Sequence, residues 1–280
     1  MLNLTNEYID TKKLNSLCLA GGVFANVKLN QALSRGLDAK SLFVFPNMGD
    51  GGLSVGAAQA VLGTKSKSLQ SAYLGEKFSN KEILVHLEKN NGILSWYKPK
   101  NIAKAAASLL ANYKILARFE GRMEFGPRAL GNRSILFNCS DPSANDWLNK
   151  QLNRTEFMPF APLCLYEDAD QYFEINQGEK IACKFMTLVV GATQKMKQLC
   201  PAAVHVDGTC RPQLVNKSSN PRLHQILQEY KKITGISCII NTSFNMHEEP
   251  IVHSPENAIK AFLGAKLDCL IAGDFIISRS

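Results

Sequence analysis

The sequence predicts a mixed α/β protein, on three observations. Short apolar runs of strand length alternate with longer stretches whose apolar residues recur at helical spacing. Two consecutive strand–glycine–helix units precede Gly63, the arrangement by which α/β folds bring backbone N–H groups to an anion. Hydrophobic residues are 45% and charged residues 20% of 280, an ordinary globular balance with material for a sizeable core.

The elements follow in order. Ser16 to Ala20 is a short strand ending at Gly21-Gly22, after which Val23, Val27 and Leu33 recur at helical spacing as far as Arg35-Gly36. Leu42 to Phe45 is the next strand, stopped by Pro46; Asn47 to Gly52 then leads into a small-residue helix from Leu53 to Leu62. Residues 64 to 80 are polar, rich in Ser and Lys and without period, so a boundary is placed there between a segment at 1–65 and a domain at 70–280. Lys81 to Lys89 and Asn101 to Asn112 are amphipathic helices, and Lys114 to Phe119 is a strand. A polar, glycine-rich loop runs from Glu120 to Ser134. Further strands are expected at Pro162 to Tyr166, Phe185 to Val190, Ser237 to Ile240 and Asp268 to Ile271. Further helices are expected at Ala144 to Leu152, Pro221 to Ile233 and Pro255 to Leu263. The last two each open with an N-cap followed by proline, at Asn220-Pro221 and Ser254-Pro255.

Several classes are excluded. No apolar run approaches the ~20 residues of a membrane span, and the N-terminus lacks the basic-then-apolar pattern of a signal peptide. The eight cysteines form no CxxC pair; Cys18, Cys164, Cys183, Cys238 and Cys269 sit in apolar runs, as buried free thiols of a cytoplasmic protein would. There is no Gly-Lys-Ser/Thr phosphate loop, GxGxxG, GxSxG or HExxH.

The net charge of +8 points to an anionic partner. Much of the lysine excess, as in Lys12-Lys13, Lys65, Lys67, Lys195, Lys197 and Lys231-Lys232, reads as solvated helix faces. Arg122, Arg128, Arg133, Arg154 and Arg211 differ, because they fall in glycine-, proline- and polar-rich stretches. Guanidinium forks bind phosphate and carboxylate bidentately, so a compact anion pocket fits better than a nucleic-acid stripe. Nucleic-acid binding is not expected, since no basic stretch is interleaved with aromatics.

Glu120 to Ser134 is the densest segment: three arginines would repel one another unless an anion or the carboxylates Glu120 and Glu124 sit among them. Asn241 to Asn245 follows an apolar strand, where open α/β sheets present binding loops, and a capped turn is the equal alternative. His205, Asp207 and Arg211 share a third polar turn, either a structural cluster or part of a site. His247 and His253 lack metal-ligand spacing.

These segments together resemble the NodU-like O-carbamoyltransferases. Leu19 to Val23 with Asn26 resembles that family's "LAGGVALN", and Pro46 to Ala58 its "P…GDxGxxxGAA". Glu124 to Leu136 follows "ExGPRALGxRSIL" almost throughout. Pro159 to Pro162, His205 to Gln213 ("HxDGTxRxQ") and Asn241 to Asn245 ("NTSFN") come in family order, and the likeness covers residue 15 onward.

The resemblance implies a YrdC-like mixed twisted sheet domain at 70–280 that forms carbamoyl-adenylate from carbamoyl phosphate and ATP. It implies that 1–65 is the end of an actin/sugar-kinase-like domain that transfers the carbamoyl group to a small-molecule hydroxyl with a divalent iron or similar metal. By motif position Arg128, Arg154 and Arg211 are the catalytic candidates. Gly21, Gly22, Asn26, Arg122, Arg133, His205, Asp207, Asn241 and Ser243 are the cofactor-binding candidates, and Asp50 is the metal-ligand candidate. The histidine-rich metal motif has no counterpart here, so a separate N-terminal half or a homo-oligomer is the expected partner. Before Pro159 the family reads "KxRExFR", whereas Leu152 to Met158 keeps only Arg154 of its three cations. The alternative reading is a non-catalytic nucleotide-binding fragment or subunit that acts only with a partner chain.

Overall fold

A computed structural model describes residues 15–37, 40–63, 69–144, 160–246, 248–265 and 267–280. The N-terminal segment carries β1 (Ser16–Leu19), α1 (Val27–Gly36), β2 (Ser41–Val44) and α2 (Leu53–Leu62). Next come α3 (Asn80–Glu88), β3 (Leu94–Tyr97), α4 (Ile102–Ala111), β4 (Leu116–Phe119), β5 (Arg133–Phe137) and β6 (Ala161–Leu165). β7 (Phe173–Glu174), β8 (Val190–Ala192), β9 (Thr209–Cys210), β10 (Gln213–Val215) and α5 (Pro221–Thr234) follow. The chain finishes with β11 (Cys238–Ser243), α6 (Pro255–Gly264), β12 (Cys269–Ala272) and β13 (Phe275–Arg279).

The mixed α/β expectation holds. Eight strands form one mixed sheet in the order β10-β6-β11-β5-β4-β12-β13-β3. β10/β6 and β12/β4 run parallel and the other neighbours antiparallel. The period-two alternation of strand side chains splits the apolar residues between two layers. On one face Leu116, Leu136, Leu163, Ile239 and Ile271 meet Ala103, Ala106 and Leu110 of α4 and Leu223, Leu227 and Tyr230 of α5. On the other, Ile135, Phe137, Ile240 and Leu270 meet Ile83 and Leu87 of α3 and Ala258 and Phe262 of α6. β7, β8 and β9 make a small antiparallel sheet, and β1 and β2 a parallel pair.

The expected caps form: the Asn220 side chain accepts from Leu223 N, with Pro221 in the first turn, and Ser254 closes a capping box with Asn257. Three expectations are corrected. Phe185 to Val190 is not a strand up to Val190, because Met186 takes φ 57° and breaks the extended run. The loop from Glu120 to Ser134 ends earlier, since Arg133 and Ser134 already pair with β4 and β11. Asn241 to Ser243 likewise remain in β11. Of the five cysteines expected to be buried, Cys164, Cys183 and Cys238 are, whereas Cys18 is exposed and Cys269 half-buried; all are free thiols. The expected helix at Ala144 to Leu152 lies outside the described residues beyond Ala144. No helix among the described residues is long and apolar enough to cross a membrane.

The N-terminal segment docks on the large sheet domain through β2 and α1. Leu42 N donates to Gly178 O (3.3 Å), Asn30 Nδ2 to Thr187 O (2.8 Å), and Phe43 meets Phe185 edge-on at 6.3 Å. α2 is different: none of its residues is buried, although Leu53, Val61 and Leu62 are large and apolar. A helix without a covered face gains little from packing. Hydrogen exchange is therefore expected to be much faster in α2 than in β4, β5 and β11. Uniform protection across a proven monomer would contradict this.

Candidate functional site

A cleft of about 100 Å³ opens beside the strand β11, lined by Pro127, Arg128, Ala129, Phe160, Ala161, Met186, Arg211, Asn241, Thr242 and Ser243. Five pieces of chain build it: the loop between β4 and β5, the start of β6, Met186 ahead of β8, the turn after β9, and the end of β11.

The loop owes its shape to Glu124. This buried carboxylate accepts through Oε1 from the backbone N–H of Leu130 (2.8 Å), Asn132 (2.7 Å) and Arg133 (3.2 Å), folding the loop back on itself. Gly126 makes the close approach to the N-terminal segment: at φ 112°, a Cβ there would lie 2.6 Å from Pro46 O. Two residues on, Arg128 Nη2 donates to Ala25 O at 3.3 Å, and its Nε is buried without a partner among the described residues.

Arg211 enters the same cleft. Burial, and then the Arg128 charge, press its pKa down to about 10, and burial lowers that of Arg128. A guanidinium remains charged at neutral pH, so this cost persists until an anion relieves it. Neither arginine has a carboxylate within ion-pair distance among the described residues. Two partly desolvated positive charges thus face one cleft without a carboxylate partner among the described residues, the arrangement that attracts an anion.

The other candidates sort by position. Asn241 and Ser243 line the cleft, as expected. Arg133 does not: its side chain is buried, stacks on Phe119 at 3.9 Å, and donates to Glu120 O (2.8 Å) and Asn132 O (3.0 Å). Arg122 is spent on Gly75 O at 3.1 Å. Arg154 lies outside the described residues, as do Pro159 and His247.

His205 Nδ1 lies 3.1 Å from Thr209 Oγ1, and burial lowers its pKa, so the ring is neutral at pH 7. The ammonium of Lys28, together with Thr209 N–H and O–H, holds the Asp207 carboxyl well below the usual range. Asp207 thus ties α1 to the turn that carries Arg211.

The N-terminal candidates are structural in what they touch. Asn26 caps α1 by accepting from Lys28 N and Leu29 N, both at 3.1 Å. Gly21 sits at φ 120° and donates to Met48 O at 2.7 Å. Gly21, Gly22 and Asp50 line a second, larger hollow of about 750 Å³ between β1 and α2. Asp50 is the one carboxylate lining it among the described residues, with the thiol of Cys18 as the other potential metal ligand. No group of three or more His, Cys, Asp or Glu residues suited to a metal occurs among the described residues, which by themselves do not make a closed metal site.

The sequence reading missed Pro127, Ala129, Phe160, Ala161, Met186 and Thr242 on the cleft wall, and Lys28. Those in the Glu124 to Leu136, Pro159 to Pro162 and Asn241 to Asn245 motifs carried a signal, whereas Met186 and Lys28 carried none.

Fold and cleft together describe an α/β protein with a positively charged cleft beside its central sheet. Family models place it more closely. One described as the carbamoyltransferase C-terminus matches residues 107–279, and one described as the carbamoyltransferase N-terminus matches residues 1–59. The chain belongs to the carbamoyltransferase family.

Nodulation protein NolO of Bradyrhizobium diazoefficiens is 38% identical over 274 residues, covering 95% of this chain and 50% of that protein. An uncharacterised protein of Methanocaldococcus jannaschii is 36% identical over 277 residues, covering 95% of this chain and 45% of that protein. The chain thus spans about half the length of the relatives it matches. Among solved structures, full-length HypF in its phosphate- and nucleotide-bound form gives a TM-score of 0.44 at 18% identity, over 67% of this chain and 22% of that one. Sua5 of P. abyssi complexed with L-threonine gives 0.44 at 15%, over 61% and 46%. Neither score reaches the level at which the likeness supports an argument.

Proposed function

We propose that this chain is the activating half of an O-carbamoyltransferase: its Arg128–Arg211 cleft takes carbamoyl phosphate and ATP and holds the carbamoyl-adenylate formed from them. The observation that carries the reading is the pair of half-buried guanidiniums with no carboxylate at ion-pair distance among the described residues, set beside Asn241 and Ser243. The family supplies the chemistry. Water cleaves carbamoyl phosphate to carbamate and phosphate. A carbamate oxygen then attacks the α-phosphorus of ATP; the new P–O bond forms as the α–β bridging P–O bond breaks, and pyrophosphate leaves.

Negative charge grows on the phosphoryl oxygens during that attack, where preoriented guanidinium donors stabilise it. Ser243 adds a hydroxyl donor beside them. Transfer to a small-molecule hydroxyl would release AMP. The protein would work in the cytoplasm. The test is incubation of the chain with carbamoyl phosphate and ATP, followed by a pyrophosphate assay; no pyrophosphate above the no-enzyme rate counts against adenylate formation.

A second reading has its own support in the isolated Asp50 and the uncovered α2: a subunit that acts only with a partner carrying the other half. Transfer needs acceptor, carbamoyl carbon and activating group within ~3–3.5 Å of reacting geometry. The 280-residue chain alone is therefore expected to give no carbamoylated product, even with metal and acceptor supplied. A separately expressed N-terminal half of a relative should restore transfer. Product from the chain alone, abolished by Asp50→Ala, would show that it needs no partner.

A further inference from the structure

We infer that Asn241, oriented by Gln213, is a specificity determinant of the cleft: it presents a hydrogen-bond acceptor that favours a carbamoyl group over an acetyl group of the same shape. The inference rests on the carbamoyl reading above and deepens it. Asn241 is 1% exposed and lines the cleft with Arg128 and Arg211. Its Nδ2 donates to Ala129 O at 3.0 Å and to Gln213 Oε1 at 2.6 Å.

An amide can be turned over in place, exchanging its donor and acceptor ends. Here two backbone carbonyls forbid that, because a carbonyl oxygen only accepts. Ala129 O requires the nitrogen of Asn241. Leu130 O, 2.6 Å from Gln213 Nε2, requires the nitrogen of Gln213, which leaves the Gln213 oxygen facing Asn241. The two amides are set in series from the loop that carries Arg128.

Both amide protons of Asn241 are thereby used. Its Oδ1 is buried and has no partner among the described residues. A buried acceptor left unmet carries a desolvation penalty, which an N–H donor removes. The arginines bind phosphoryl oxygens and cannot distinguish one acyl group from another. The carbamoyl NH2 donates, whereas the acetyl methyl cannot and would leave Oδ1 unmet. Sites built around a buried polar group reject analogues that lack its partner. Gln213, from β10, is a positioning residue: it acts through Asn241.

The experiment is calorimetry on the full chain with two non-hydrolysable phosphonates, phosphonoacetamide and acetonylphosphonate, which place an NH2 and a methyl at the same point. The unmodified chain should bind the amide roughly ten- to a hundredfold more tightly. Asn241→Leu should remove the preference. Gln213→Met should shrink it several-fold while inorganic phosphate binds within about twofold of normal, a pattern that general loosening of the fold would not give. Equal affinity of the unmodified chain for both analogues would overturn the inference and leave the anion site standing. Failure of both analogues and of inorganic phosphate to bind would overturn the proposed function along with it.

Discussion

Glu124→Ala is expected to lower the stability of the chain by about 3–5 kcal/mol, because three buried backbone N–H groups lose their shared acceptor at once. Leu130, Asn132 and Arg133 all donate to one oxygen of this carboxylate. Glu124→Gln keeps one oxygen and should fall between. Urea unfolding read by fluorescence measures both; a loss under about 1 kcal/mol for the alanine variant would mean that the loop is held by other contacts.

The same residue gives the stability a pH slope. Burial raises the Glu124 pKa above its ordinary 4.5, more than the backbone N–H groups and Arg133 lower it. The folded state then binds this proton more tightly than the unfolded chain does. Its contribution is full below the unfolded value and declines as pH rises from there through the raised folded value. Glu124→Gln should flatten that decline.

Arg128→Ala is expected to weaken binding of ATP and of inorganic phosphate by ~1.5–3 kcal/mol, the scale of a charge-assisted hydrogen bond. Arg211→Ala should do the same. The double variant should fall short of the sum, because each arginine removed also relieves its repulsion on the other. Arg122→Ala serves as the control, since its guanidinium is engaged with Gly75 O and should leave affinity within about twofold. Calorimetry decides the matter. If the unmodified chain binds neither ligand, the anion site is refuted.

The architecture was legible where local signals were strong. Proline after an N-cap marks the starts of α5 and α6, and apolar runs mark β6, β12, the first half of β11 and, around Arg118, β4. β3 and β13 were not legible. Leu94 to Tyr97 alternates over only four residues, and β13 holds its place by pairing with β3 and β12 across long sequence separations.

The site was legible as a set of residue types but not as a set of roles. Arg128 and Arg133 stand five positions apart in one motif, and only folding separates them. Arg128 reaches the cleft, whereas strand alternation turns Arg133 inward onto Phe119. Asp207 and Asn26 looked like ligand-binding polar residues because caps and ties use the same side chains. Gln213 could have been found from its place at the end of the His205 to Gln213 motif, though no sequence rule shows that its oxygen faces Asn241.

The contact of the Arg128 loop with the N-terminal segment constrains how the two parts can change. Pro46 O abuts Gly126, and Ala25 O accepts from Arg128. An insertion near residue 25 or 46, or a graft of this segment from a distant relative, would alter the backbone under Arg128. The two parts are therefore interchangeable between relatives only as a matched set, and a mismatched chimera should declare itself first as a change in anion affinity in a protein that still folds.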